Sequence, residues 1–217
     1  MVSKVEICNI ALQNVGAKKI TDFNEDTKNA IECRLRYDTV RLALLESYLW
    51  NFAIKRASLV LLSTVPEWGY GKEFGLPSDF VRMAATQDQL DGGALLGQAS
   101  AGIVTLQFNG LQPFGDDYRI EIRENGVKVL RCNDESKNIL YICNQENTAQ
   151  FAPMFVELLG LELGLAIGTR IEANASLLDR IEARLEALRR DAQMVDSAQG
   201  TPRVIKRSTL LRAKQGW

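Results

Sequence analysis

Histidine is the side chain that most often carries chemistry, and this chain of 217 residues has none. The commonest general base and the commonest metal ligand are therefore missing, and no Cys–His arrangement can form. Four cysteines remain, Cys8, Cys33, Cys132 and Cys143, scattered and without a C-x-x-C pair. This usage points to reduced thiols in a cytosolic product rather than to a disulfide framework or a zinc site. Cys8 and Cys33 fall on or beside apolar helix faces, where a thiol serves as a small hydrophobe. The stretch 69–75 (GYGKEFG) looks like a nucleotide loop at a glance. Its spacing is G-x-G-x-x-x-G, however, and no lysine followed by serine or threonine is present. The glycines between 92 and 102 lack that lysine too, and no G-x-S-x-G occurs. Asp116 and Asp117 suit a carboxylate metal site in type, but adjacent acids before a strand read more simply as a solvated turn. The sequence thus names no catalytic, cofactor-binding or metal-ligating residue, and it does not read as an enzyme.

What it does offer is a charge asymmetry. The whole chain carries −1, yet 197–217 holds Arg203, Lys206, Arg207, Arg212 and Lys214 and no acid, so +5 on the tail leaves −6 on the other 196 residues. Such a tail is an interaction segment. It can neutralise phosphates, each contact steepening the salt dependence of binding, or it can dock on a protein. Val204, Ile205, Leu210, Leu211 and Trp217 interleave with the cations. A phosphate-binding arm has no use for them. An arm that folds onto a partner does, because burial must offset the entropy of ordering it. A tail with no role is the remaining alternative.

The elements that must position this tail can be read from periodicity. Apolar residues make up 46% and charged residues 24%, which is globular composition, at a length that suits one generous domain or two small ones. No secretory n-region and no long uncharged run occur, so neither a signal peptide nor a membrane span is expected. Ser3 and Glu6 have capping-box spacing. Val5, Cys8, Leu12 and Val15 then line one face and Gly16 stops it, predicting a helix over 3–15. A second helix is expected from about Asp26, whose charge suits a helix start, to about 48. Its face would be Ile31, Leu35, Leu42, Leu45 and Leu49, interrupted by Asp38, with Glu32 and Arg36 paired on the wet side. At 47–59 (SYLWNFAIKRASL) the period changes from helical to two, with Tyr48, Trp50, Phe52 and Ile54 alternating. This is a helix-to-sheet corner plugged by aromatics, and a strand should follow from Phe52 to about Leu62.

Pro66, Gly69, Gly71, Gly75 and Pro77 then punctuate a loop carrying Trp68, Tyr70 and Phe74. A short strand is expected over 80–84, a flexible stretch over 91–102 and an alternating strand over 103–108. Tyr118, Ile120 and Ile122 alternate with Arg119, Glu121 and Arg123. Asn125-Gly126 then signals a type I′ hairpin in which Ile122 faces Val129. The apolar run 139–143 reads as a strand buried on both faces. Pro153 opens a helix reaching about Ile171, in which Gly160, Gly164 and Gly168 form one stripe. In a membrane such a stripe would mean close helix packing, but Glu157 and Glu162 favour a buried helix outside a membrane. A last helix spans about 174–195, with a seam at Leu178, Ile181, Leu185, Leu188, Ala192 and Val195 that packs within a bundle or, less simply, between subunits.

The plan is α+β: a helical bundle formed by N- and C-terminal helices, with an inserted antiparallel β-region and an extended C-terminal arm. Its expected parts are a discontinuous helical domain over 1–50 and 150–196, a β-rich insertion over 51–149, and the basic arm over 197–217.

Several short segments, taken in order, resemble the head-to-tail adaptors of short-tailed bacteriophages, the tail tubular protein A family. They are Asn14-Val15-Gly16-Ala17 before 20–26 (ITDFNED), Tyr37-Asp38-x-x-Arg41, Trp50-Asn51-Phe52 with Arg56-Ala57, and Pro66-x-Trp68-Gly69-Tyr70. The stretches 76–80 (LPSDF) and 151–155 (FAPMF), and the run from Asp191 to Pro202, continue them. The matches cover nearly the whole chain and fade between about 87 and 115. The resemblance implies a structural virion protein of the neck and tail, assembled in the host cytoplasm, with no cofactor and no membrane partner. It implies a homo-oligomeric ring, usually of twelve copies, that holds the portal protein on one side and receives the tail nozzle protein on the other, while DNA passes through its lumen. It also implies that the C-terminal arm clasps the portal, with Arg203, Lys206, Arg207, Leu211 and Trp217 as the contact residues. A nucleic-acid-binding accessory protein that uses the same tail on phosphates is the alternative.

Overall fold

The computed structural model describes residues 2–64, 66, 68–87, 118–171 and 174–199. The stretches expected over 91–102 and 103–108, Asp116, Asp117 and the arm beyond Gln199 lie outside these residues. Among the described residues the chain is α+β, with four helices and two antiparallel sheets. None of these helices is long and apolar enough to cross a membrane.

Helix α1 spans Lys4–Asn14. Ser3 Oγ accepts from the Glu6 N–H at 3.1 Å, and Glu6 Oε2 accepts from the Ser3 N–H at 2.6 Å, completing the expected capping box. At its other end Gly16 takes φ +72°. The Ala17 N–H reaches Leu12 O at 2.8 Å and the Gly16 N–H reaches Gln13 O at 3.2 Å, a Schellman closure that needs a residue tolerant of positive φ. Asn9 then clamps the following link, accepting from the Ile20 N–H at 2.8 Å and donating to Ile20 O at 2.9 Å.

Helix α2 spans Lys28–Ser47. Its cap is Thr27, whose hydroxyl accepts from the Ala30 N–H at 3.4 Å, so the start falls past Asp26 rather than at it. The buried face keeps only Leu45 of the expected aliphatic one. Ala30, Cys33, Tyr37, Arg41, Leu44 and Leu45 point inward, while Leu35 is 66% exposed. From Ala30 to Leu44 the inward residues step by three and four, as an α-helix requires, but four of the six are small, aromatic or cationic, so aliphatic bulk alone misses much of the face.

Helix α3 spans Pro153–Gly168 with Pro153 in its first turn, and α4 spans Ala175–Ser197, capped by Asn174 accepting from the Ser176 N–H at 3.0 Å. Helix α3 packs against α1, α2 and α4, and Phe155, Leu158, Leu159, Leu161, Leu163 and Ile167 are fully enclosed. The glycine stripe is the contact with α1 and the start of α4. A Cβ at Gly160 would stand 2.5 Å from Ile10 Cγ2, one at Gly164 3.1 Å from Ala11 O, and one at Gly168 2.4 Å from Leu178 Cδ2. Helix α4 lays Ile181, Leu185 and Ala192 on the core as expected, but at its end Asp196 is buried and Val195 is 48% exposed. A single α-helix turns once per 3.6 residues, so a strict 3.5-residue seam drifts off the contact.

The seven strands among the described residues all lie between α2 and α3 in sequence. β1 (Ile54–Ser58), β7 (Asn138–Cys143) and β4 (Phe80–Thr86) form one sheet in the order β1-β7-β4. β2 (Val60–Leu61), β3 (Lys72–Gly75), β6 (Lys128–Cys132) and β5 (Arg119–Ile122) form the other, in the order β2-β3-β6-β5. The strand expected from Phe52 to Leu62 is in fact a 3₁₀ turn, Asn51–Ala53, followed by two strands that enter different sheets. The break is at Leu59, whose N–H donates to Lys137 O at 2.8 Å. Lys137 lies just ahead of β7, so the β1–β2 and β6–β7 crossings between the sheets meet at one corner. β7 is the expected strand buried on both faces: Ile142 joins the helical core, while Ile139, Tyr141 and Cys143 join the core between the sheets.

Two expectations about the second sheet fail. Lys72–Gly75 is a strand rather than loop, because Phe74 is needed in the inter-sheet core. The β5–β6 hairpin pairs Ile122 with Lys128 and Glu121 with Val129. The Gly126 N–H donates to Arg123 O at 2.8 Å and the Arg123 N–H to Val127 O at 2.9 Å, with Gly126 at φ +81°. That is a three-residue loop closed by a glycine bulge, not a two-residue I′ turn, and the one-residue difference turns Ile122 to the opposite side from Val129.

Gly164→Leu tests the helix contact, because any larger side chain there meets α1 backbone rather than a movable tip. It should cost about 1–3 kcal/mol or more, read as a lower urea midpoint, whereas Leu35→Ala should change stability little.

Candidate functional site

The five residues expected to contact the portal, Arg203, Lys206, Arg207, Leu211 and Trp217, lie outside the described residues. What the structure positions is the base from which that segment departs. Four elements meet there: the end of α2, the turn after it, the link from β7 to α3, and the end of α4.

The period change at 47–59 builds this junction. Helix α2 stops at Ser47 and Tyr48 is extended. The Trp50 indole N–H then turns back to Leu44 O at 2.9 Å, satisfying one of the carbonyls left over at the helix end. Trp50 packs edge-on to Tyr48, with ring centroids 5.1 Å apart, and to Phe155 at 5.2 Å. Phe52 sits 4.9 Å from Phe155 and 5.7 Å from Phe151. These aromatics bury large apolar areas and add edge-to-face attraction. They fasten the corner to the first turn of α3.

Polar contacts fasten the rest. The Asn51 N–H donates to both carboxylate oxygens of Asp196, at 3.1 and 3.2 Å, and the Asn51 side-chain amide donates to Asp196 O at 2.6 Å. The Tyr48 hydroxyl donates to Gln193 O at 3.1 Å. The last turn of α4 is thereby held to the turn after α2. On the other side Arg41, almost fully buried, donates to Asn144 Oδ1 and Gln145 O, both at 2.7 Å, and to Asp38 Oδ1 at 3.1 Å. The guanidinium fork can serve this many acceptors at fixed angles where an ammonium cannot. Burial lifts the Asp196 carboxyl above its ordinary value, and the Asn51 N–H pulls it back only in part.

A second polar cluster lies on the sheet β2-β3-β6-β5. Glu73, only 3% exposed, takes Arg131 Nε at 2.8 Å on one oxygen and Thr64 Oγ1 and Arg123 Nε, both at 2.9 Å, on the other. Arg131 also reaches Glu121 at 2.6 Å. Burial alone would raise the Glu73 carboxyl, but the hydrogen bonds from Arg123, Thr64 and Arg131 outweigh it and hold it below the carboxylate range. A cleft of about 530 Å³ opens above these groups, with Trp68 at its rim, 85% exposed. Both guanidiniums are paired with acids on other strands of the sheet, so the cluster ties strands together.

Lys72 pairs with Glu135, the Gly71 N–H donates to Asn133 Oδ1 at 2.8 Å, and 72–75 is sheet, so the glycine-rich stretch at 69–75 holds protein groups. All four cysteines are free and buried. The Cys33 thiol and burial push Cys8 well above the thiol range, and burial raises Cys143 above its ordinary value, which leaves both poor nucleophiles. Among the described residues no group of three or more His, Cys, Asp or Glu is arranged to hold a metal ion.

Sequence reasoning marked the aromatic corner but not its polar anchors. Arg41 and Asp196 are charges at inward positions of amphipathic helices, and that is the signal that could have found them. Glu73 gave no such signal, because its strand is too short to show a period.

Trp50→Ala should cost about 3–5 kcal/mol, measured by urea unfolding, through the cavity it opens between α2 and α3. Asp196→Asn tests the other anchor. The folded pKa is raised above the ordinary 3.8, so between these values the native chain binds a proton that the unfolded chain has lost. The contribution of Asp196 to stability therefore falls as pH rises through that window. Unfolding free energies at pH 4 and pH 7 should show the difference between Asp196→Asn and the parent moving in favour of the variant at the higher pH; the reverse trend would refute the assignment. The chain matches no known protein-family model and no curated protein.

Proposed function

We propose that this chain is the subunit of a head-to-tail adaptor ring, a structural virion protein that joins the portal of a short-tailed phage to its tail nozzle. The observation that carries this reading is the convergence of the segments that resemble the family. Arg41 from Tyr37-Asp38-x-x-Arg41, Trp50-Asn51-Phe52, Phe151 and Phe155, and Asp196 from the run beginning at Asp191 are far apart in sequence. They meet in one junction through the contacts given above. A protein that works by assembly needs such a junction, because the angle between its helical and β parts must be the same in every copy of a closed ring, whose heterologous interfaces set unlike faces together.

In this reading 1–50 and 150–196 form the part that assembles the ring, 51–149 is the part that projects from it, and 197–217 is the arm that clasps the portal. Anchoring Asp196 to Asn51 gives the arm a fixed point of departure. The body is net acidic once the tail is set aside, which suits a conduit, since like charge reduces sticking of DNA to its walls. The chain performs no catalysis and uses no cofactor.

A chain ending at Gln199 keeps Asp196 and the whole of α4. It should fold with unchanged helix content and fail to bind purified portal protein of the same phage, whereas the full chain should bind and form rings visible by electron microscopy. Undiminished portal binding by the shortened chain would sink the role of the arm. The alternative, a nucleic-acid-binding accessory protein, instead requires DNA affinity that falls steeply with salt and vanishes in the same truncation; a gel shift with no DNA bound at low salt removes it.

A further inference from the structure

Helices α2 and α4 both lie on α3 but leave a gap between them. The gap is a groove of about 530 Å³, walled by Val40, Ala43 and Leu44 of α2, floored by Leu165 and Ala166 of α3, and edged by Arg189 of α4. Its lining is mostly aliphatic. At its edge Arg189 is held by Glu162 through a terminal nitrogen. Aliphatic walls with polar groups at the edge suit a segment that carries both apolar and polar residues.

The nearest chain that can supply such a peptide is this one. Helix α4 ends at Ser197, about 6 Å along its axis from Gln193, which lines the groove. Two or three extended residues bridge that distance at roughly 3.5 Å each. Residues 200–217 then follow, with Val204, Ile205, Leu210 and Leu211 among five cations. The groove wall from Thr39 to Ser47 is only about 12 Å long, so part of the segment fills it while the charged remainder stays at the rim. A tethered segment also meets the groove at high effective concentration.

We propose that in the free subunit residues 200–217 dock into the α2–α4 groove of their own chain, their aliphatic residues on Val40, Ala43 and Leu165. The inference goes beyond the adaptor reading and does not rest on it. If both hold, the arm must leave this groove before it can clasp a portal, and premature docking is suppressed until a partner offers more.

The test is a nitroxide placed on Ser208→Cys in the full chain. The four native cysteines are at most 1% exposed, so the label goes to position 208. In isotope-labelled protein the amides of 39–47 and 162–166 should lose intensity by paramagnetic relaxation, while those of β5 keep theirs. In a mixture of labelled chain without nitroxide and unlabelled chain with it, the same amides should be unaffected. Adding Leu210→Asp and Leu211→Asp to the spin-labelled chain should restore the lost intensity. Three outcomes overturn the proposal: no loss at 39–47, loss that appears equally in the mixture and so comes from a second copy, or loss that survives the two aspartates and so reflects the tether alone. Because no portal protein is present, failure here leaves the adaptor reading standing, and failure of portal binding leaves this one standing.

Discussion

Most of the surface of helix α3 is apolar and buried, and most of the architecture follows from covering it. Its sixteen residues include Phe155, Leu158, Leu159, Leu161, Leu163 and Ile167, all enclosed, and three glycines on the side where no side chain fits. Close packing to near-crystalline density then requires a partner on each face. Helix α1 lies against the glycines, with Ala11 O only 3.1 Å from where a Gly164 Cβ would be. Helix α2 covers a second side, and α4 covers a third with Ile181 and Leu185. The aromatics Trp50, Phe52 and Phe151 cover its first turn. The incomplete part of this cover is the groove between α2 and α4.

Where apolar cover stops, charge takes over in a particular form. Arg41, Glu73 and Asp196 are all nearly inaccessible; Arg41 and Glu73 each make several hydrogen bonds, and the Asp196 carboxylate accepts the Asn51 N–H. Isolated buried charges would be prohibitive, and removing one partner leaves the other stranded. These groups therefore fix geometry more firmly than apolar contacts, which slide. Arg41 sets the β7–α3 link against α2, Asp196 sets the end of α4 against the corner, and Glu73 sets β3 against β6. In the adaptor reading proposed above, that rigidity matters more than the net stability the pairs add.

The second sheet shows how a small local choice propagates. The hairpin at Asn125-Gly126 was legible as a hairpin, because the dipeptide tolerates the turn. Its loop length was not legible, because a three-residue loop with Gly126 as the bulge uses the same residues as a two-residue turn. Asn125 Oδ1 accepting from the Val127 N–H at 3.1 Å supports the longer form. One residue of register decides which side of the sheet holds Ile122, which is 65% exposed, and which side holds Glu121 beside Arg131. The charged cluster around Glu73 exists only in the observed register.

The sequence by itself determined what depends on neighbours a few residues apart. It determined the capping box at Ser3 and Glu6, the stop at Gly16, the helix opened by Pro153, the strand over 139–143 and the aromatic change of period at 47–59. It also determined the α+β class and the absence of recognisable catalytic motifs, since these follow from residue types and periods. The tertiary structure alone decided what depends on residues far apart in the chain. It chose Arg41 over Leu35 as an inward residue of α2, because Asn144 and Gln145 stand opposite. It chose Asp196 over Val195 at the end of α4, because Asn51 does. It split one apparent strand at Leu59 between two sheets, because Lys137 meets it there. Periodicity says that a helix has a face, but the shape and polarity of what that face meets decide which residues occupy it.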